Sequence, residues 1–229
     1  MTLASMAVTL PAYLMPETER NALPHSSPAA AADVEESADQ ESVRLMLRVK
    51  DGDVKAFERL VELHQSAVVG TCARMLNNIE DAHDIAQQVF IRVWRSAPRY
   101  EVTAKFTTWL FTITRNLVFN ETRRRSRRKE VSMEQENEDD PPKFFTDHST
   151  PGADHITQQT ELEQALDTAI AALPEKQRIA VIMRRHQDLP YEDICAVLKM
   201  SLPAVKSLLF RARTELRKHL AAYLGEDVE

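Results

Sequence analysis

The stretch LPYEDICAVLKMSLPAVKSLLFRARTELRKHL, running from Leu189 to Leu220, reads as two helices joined by a tight turn. In its first half Ile194, Val197 and Leu198 recur at helical spacing, a face that requires burial. Pro190 stands near the start, where a missing N–H costs nothing. Glu192 and Asp193 suit the positive end of the helix dipole. Ser201 offers an N-cap for the second helix, with Pro203 in its first turn. There Val205, Leu209, Ala212 and Leu216 make one continuous apolar stripe. Lys206, Ser207, Phe210, Arg211 and Thr214 fall on the other side, flanked by Arg213, Arg217 and Lys218. Such a face suits the major groove, where Arg and Lys read guanine edges or hold phosphates and Phe can touch a thymine methyl. It also fits a solvated basic face, a membrane surface or a partner protein, so the rest of the chain has to decide.

A chain of 229 residues can hold two small domains or one of medium size. Only four glycines occur, amid long Leu/Ala/Arg/Glu stretches, which favours an all-α fold. Cys72 and Cys195 lie far apart in helical patterns, so a disulfide framework is not expected and a reducing cytoplasm fits. No apolar run is long enough for a membrane span, and the N-terminus lacks the features of a signal peptide. The net charge of −6 is unusual for a nucleic-acid binder, but its distribution accounts for it. Residues 1–41 set Arg20 against Glu17, Glu19, Asp33, Glu35, Glu36, Asp39 and Glu41. Residues 130–140 hold acids and no Lys or Arg, whereas Arg123, Arg124, Arg125, Arg127, Arg128 and Lys129 form a basic run. Local patches, not the total, make the electrostatic footprint.

In chain order, residues 1–41 are rich in Ala, Pro, Ser and acid and read as a disordered acidic tail, dispensable for function. Met6 and Met15 are alternative translation starts. From Ser42 the pattern turns helical. Val43, Met46, Leu47 and Val49 make a short apolar face stopped at Asp51-Gly52. Asp53 caps a helix with Phe57, Leu60, Val61 and His64 on one side, and a third segment carries Val68, Val69, Cys72 and Met75. Asn77-Asn78 interrupts, and Asp81 opens DAHDIAQQVFIRVWRSA, with Ile85, Val89, Phe90, Val93 and Trp94 mostly inward and a polar face opposite. After Pro98 a loop with Tyr100, Lys105 and Phe106 feeds a helix anchored by Trp109, Leu110, Ile113 and Leu117. Its other face combines Thr108, Arg115, Asn116, Asn120 and the closing arginines. Aromatics to stack on splayed bases, amides for base edges and arginines for phosphates equip a segment for single-stranded nucleic acid. Residues 129–158 read as an acidic, Pro-containing linker. From residue 159 helices resume and lead into the two-helix unit, up to residue 224, with 225–229 as a tail.

This order of parts resembles the extracytoplasmic-function (ECF) sigma factors of bacterial RNA polymerase. The blocks DGDVKAFERLVELH, DAHDIAQQVFIRVWR and FTTWLFTITRN are similar to the family's region 2. The block ALPEKQRIAVIMRRHQDLPYEDICAVLKMSLPAVKSLLFRARTEL is similar to region 4. The resemblance implies two small helical domains, 42–128 and 159–224, joined by the flexible linker. The first would bind the clamp helices of the polymerase β′ subunit through Asp81, Asp84, Gln87, Gln88, Arg92 and Arg95. It would also recognise and melt the −10 promoter element through Lys105, Phe106, Trp109, Asn116, Asn120, Arg123 and Arg124. The second would read the −35 element as duplex through Pro203, Lys206, Ser207, Phe210, Arg211 and Thr214, and would contact the β flap. An anti-sigma factor would occlude both. Three positions depart from the family pattern: Gln88 stands where Glu is frequent, Lys199 takes a turn position usually held by Gly, and Leu208 replaces a frequent Arg.

A stand-alone dimeric helix-turn-helix regulator accounts for Leu189–Leu220 but leaves the QQVFIRVWR and FTTWLFTITRN blocks without a role. For an enzyme, the seven histidines are scattered. No HExxH, paired CxxC or Gly-rich phosphate loop occurs, so neither catalysis nor a cofactor or metal is expected.

Overall fold

In the computed structural model, residues 28–132 and 153–224 are described, and among them the chain is helical with no strand. The helices are α1 (Pro28–Lys50), α2 (Val54–Leu76), α3 (Ile79–Ser96), α4 (Phe106–Ser132), α5 (Ala153–Ala172), α6 (Glu175–His186), α7 (Tyr191–Leu198) and α8 (Leu202–Leu224). A single 3₁₀ turn, Ala97–Arg99, follows α3. The first four helices form one bundle and the last four a second.

Local chemistry sets most boundaries. Gly52 adopts φ +89° in the turn after α1, a conformation that costs glycine little. Asp53 then caps α2, accepting from the Ala56 amide at 3.0 Å, while Arg48 donates to the same carboxylate at 2.7 and 3.0 Å. At the far end Asn77 closes α2 in the left-handed region, and Asn78 caps α3 through the Asp81 amide at 3.1 Å. The two apolar segments expected between Asp53 and Met75 are one continuous helix.

Met46, Leu60, Val68, Cys72, Met75, Val89, Val93, Phe106, Leu110 and Val118 fill the first core. Leu166, Ile170, Leu173, Ile179, Ile182, Met183, Ile194, Val197, Val205, Leu209 and Leu216 fill the second. Ile179 to Met183 are all fully buried, since this middle stretch of α6 is covered from several sides by α2, α7 and α8.

Three expectations are corrected. Residues 28–41 belong to α1, so the tail reading fails there; residues 1–27 lie outside the described residues. The linker is trimmed at both ends, because α4 runs to Ser132 and α5 begins at Ala153; residues 133–152 likewise lie outside the described residues. Leu47 and Trp94, expected inward, are 41 % and 37 % exposed. Trp94 packs its edge on Phe57 with ring centroids 5.0 Å apart. Among the described residues no helix is long and apolar enough to cross a membrane.

Candidate nucleic-acid interface

The second bundle presents α8 as its outer helix. Val205, Leu209, Ala212, Leu216 and Leu220 are buried, whereas Pro203, Lys206, Ser207, Phe210, Arg211 and Thr214 are all exposed. Phe210 is 68 % exposed, a large apolar ring displayed among cations. Leu208 is buried, so its side chain helps to seat the helix and takes no part in this face. The turn before α8 is made by Lys199 at φ 55°, ψ 48°, the left-handed conformation expected at that position. Its amide donates to Ala196, and the Met200 amide donates to the Cys195 carbonyl at 3.0 Å, which closes α7. A non-glycine residue there costs about 1 kcal/mol.

In the first bundle the exposed side of α3 carries Asp84, Gln87, Gln88, Arg92 and Arg95. Asp81 is half-buried and ion-paired with Arg125. Glu121, only 8 % exposed, accepts from Arg124 at 2.7 and 2.9 Å and from Arg125 at 3.2 Å. The hydrogen bonds from Arg124 hold the Glu121 carboxyl below its ordinary pKa. Asp81, Asp84, Gln88, Asn120 and Arg124 line one groove between α3 and α4. Residues assigned from sequence to two separate tasks thus meet in one place. Arg124 reaches it already ion-paired.

Asn116, Asn120 and Arg123 are exposed along one side of α4, as their spacing requires. Phe106 is different. It is 1 % exposed, with its ring centroid 5.1 Å from His64, 5.8 Å from Trp109 and 6.4 Å from Tyr100. Phe106 is therefore core and cannot stack on a base in this arrangement. Trp109 is half-buried in the same cluster, edge-on to Tyr100 at 5.0 Å.

Contacts that sequence reasoning missed join the two bundles. Arg115 donates to the Val197 carbonyl through Nε at 3.2 Å and Nη2 at 2.8 Å. Lys105 pairs with Asp193 at 3.3 Å. Arg178 donates to the Met75 carbonyl at 2.9 Å, Gln187 to Thr71 Oγ1 at 3.2 Å, and the Thr122 hydroxyl bonds Glu175. The first helix of the two-helix unit, α7, thus lies against α4, beside the residues read as single-strand contacts.

Cys72 is buried, and burial pushes its thiol up to about 12. Among the described residues no group of three or more His, Cys, Asp or Glu is placed to hold a metal ion.

The Sigma-70 region 2 family matches residues 60–128, and the Sigma-70 region 4 family matches residues 163–216. The chain is 31 % identical over 193 residues to the RNA polymerase sigma-H factor of Pseudomonas aeruginosa, covering 82 % of this chain and 97 % of that one. It is 30 % identical over 189 residues to the ECF RNA polymerase sigma factor SigW of Bacillus subtilis, covering 76 % and 93 %. Among solved structures, the fold is similar to that of the sigma factor RpoE of Bartonella quintana, crystallised with the anti-sigma factor NepR. There the TM-score is 0.59 and the identity 24 %, over 73 % of this chain and 98 % of that one. CnrH, solved with the cytosolic domain of CnrY, matches with a TM-score of 0.57 and 20 % identity, over 80 % of this chain and 98 % of that one.

Proposed function

The chain belongs to the ECF family of RNA polymerase sigma factors, and from that premise we propose how its surfaces divide the work of starting transcription. It is an alternative sigma factor that directs transcription initiation. Core RNA polymerase docks on the exposed polar side of α3 through Asp84, Gln87, Gln88, Arg92 and Arg95, and its β flap meets the second domain. Asn116, Asn120 and Arg123 on α4 take the −10 strand, with Lys105 at the mouth of the helix. Lys206, Ser207, Phe210 and Arg211 on α8 enter the major groove of the −35 element, with Pro203 and Thr214 at the edges. The protein works in the cytoplasm, and an anti-sigma factor that occludes both domains controls it.

The observation that carries this reading is α8: a fully seated helix whose outward side displays an exposed Phe between Lys, Ser and Arg. The division of labour follows from physics. Duplex reading wants a rigid helix, and strand capture wants amides beside cations. Two modest contacts on one promoter, joined by a tether, gain from effective concentration.

The closed packing implies a step. Lys105 and Arg115 are engaged by α7, so the domains part before α4 meets a strand. Alanine at Lys206 or Arg211 is expected to lower −35 duplex binding by the holoenzyme about tenfold or more, each good base contact being worth roughly 1–3 kcal/mol, with affinity for core polymerase unchanged. Equal loss of both would contradict the assignment.

A further inference from the structure

The helix that carries the −10 residues begins without a cap of its own. The Lys105 carbonyl accepts from the Trp109 amide at 3.2 Å, which makes Lys105 the capping position of α4. An ammonium group cannot accept a hydrogen bond. The first turn of α4 therefore needs an acceptor from elsewhere for its free N–H groups.

Asp39 supplies it from 67 residues earlier in the chain. Its Oδ2 accepts from the Phe106 amide at 3.2 Å, and its Oδ1 accepts from the Thr107 amide and the Thr107 hydroxyl, both at 3.2 Å. One carboxylate fills two free amides and a hydroxyl, with its charge at the positive end of the helix dipole. The turn of α1 that carries Asp39 is itself held. One turn along α1, Ser42 is 2 % exposed, donates to the Ala38 carbonyl at 3.0 Å and lies 2.9 Å from His64 Nε2. The His64 ring in turn packs on Phe106. Burial pulls the His64 pKa below its ordinary value, against the opposing pull of the Asp39 and Glu41 charges. The exposed loop from Glu101 to Lys105 has only the Thr103 amide to Glu101 carbonyl bond, at 2.9 Å, within its own backbone. Its downstream end is anchored through Asp39.

We propose that Asp39 is a positioning residue for promoter opening. It fixes the start of α4, and with it Lys105 and the register of Asn116 and Asn120, in the orientation that receives the −10 strand. The inference rests on the sigma-factor reading above. It also reverses the expectation that residues through 41 are dispensable.

The test uses the full chain with core polymerase on a promoter fragment recovered from run-off mapping with the wild-type protein. Opening is read as permanganate reactivity of −10 thymines. Core affinity and protection of the −35 duplex are measured alongside. Asp39→Ala is expected to lower opening about five- to tenfold, the usual worth of a cap, with core affinity and −35 protection within twofold of wild type. Asp39→Asn, which keeps an acceptor oxygen, recovers part of the loss. Thr107→Val, which removes the hydroxyl bond without touching α1, gives a smaller loss in the same direction. Wild-type opening by Asp39→Ala would overturn the proposal. So would a uniform loss of opening, core affinity and −35 protection that Asp39→Asn fails to relieve. If the wild-type protein itself opens no promoter, the sigma-factor reading falls, and this inference with it.

Discussion

Replacing Arg115 by alanine should loosen the packing of the second domain on the first. The guanidinium makes two bonds to one carbonyl, Val197, at the C-terminal end of α7, at 3.2 and 2.8 Å. A hydrogen bond from a charged group contributes about 1.5–3 kcal/mol net. Both N–H groups share one acceptor and Arg115 is only half-buried, so the lower part of that range applies. A loss of about 1.5–2 kcal/mol shifts the ratio of open to closed forms roughly 10- to 30-fold. Lys105–Asp193, with Lys105 49 % exposed, adds only about 0.5 kcal/mol. The assay is energy transfer between dyes on exposed positions of α2 and α8. They are introduced as cysteines in a Cys195→Ser background, since the buried Cys72 does not compete for label. Arg115→Ala should raise the open population by that factor. Arg115→Lys should fall between, because an ammonium cannot reproduce the two-pronged donor. Arg128→Ala, on the exposed end of α4, should leave it unchanged. An Arg115→Ala protein with a wild-type distance distribution would refute the view that this contact holds the domains together.

Three further outcomes follow from single residues. His186 is held near neutral by burial and by Arg74 and Arg185, which pull its pKa down to about 3 from 6.5. The unfolded chain binds the extra proton first, so stability is full above pH 6.5 and falls as the pH drops from there toward 3. At pH 5 the loss from this group is about 2 kcal/mol; denaturant unfolding at pH 7 and pH 5 should show it, and His186→Gln should remove that share. Lys199→Gly relieves a left-handed residue at φ 55° and should stabilise the protein by up to about 1 kcal/mol, less the entropy glycine adds to the unfolded chain, whereas Lys199→Val should destabilise it in the same unfolding assay. Iodoacetamide at pH 8 should alkylate Cys195, which is half-buried, well before Cys72, which stays protected until the protein unfolds; peptide mass spectrometry separates the two.

The helical plan was legible because period and punctuation agreed. The Val205, Leu209, Ala212, Leu216 stripe is buried as written, Gly52, Asp53 and Asn77-Asn78 end and restart helices where their chemistry says, and Lys199 takes the left-handed turn. Residues 28–41 misled because they lack an apolar period, although their Ala and Glu content favours a helix; Asp39 among them bonds the distant start of α4. Phe106 misled in the opposite way. An aromatic at the end of a polar loop reads as exposed, but His64, Tyr100 and Trp109 converge on it from other elements. Arg115 and Val197 are 82 residues apart, and a contact between a side chain and a backbone carbonyl leaves no pattern in the sequence. The uncapped Lys105 was the one local sign that a partner such as Asp39 had to exist.

Added to core polymerase, this chain chooses where transcription starts. Run-off transcription on fragmented DNA from its source, with and without the protein, tests that directly. Discrete transcripts should appear only when the protein is present, share two upstream elements, and disappear with Lys206→Ala/Arg211→Ala. No dependent transcript, together with tight binding to a palindrome in the absence of polymerase, would contradict it.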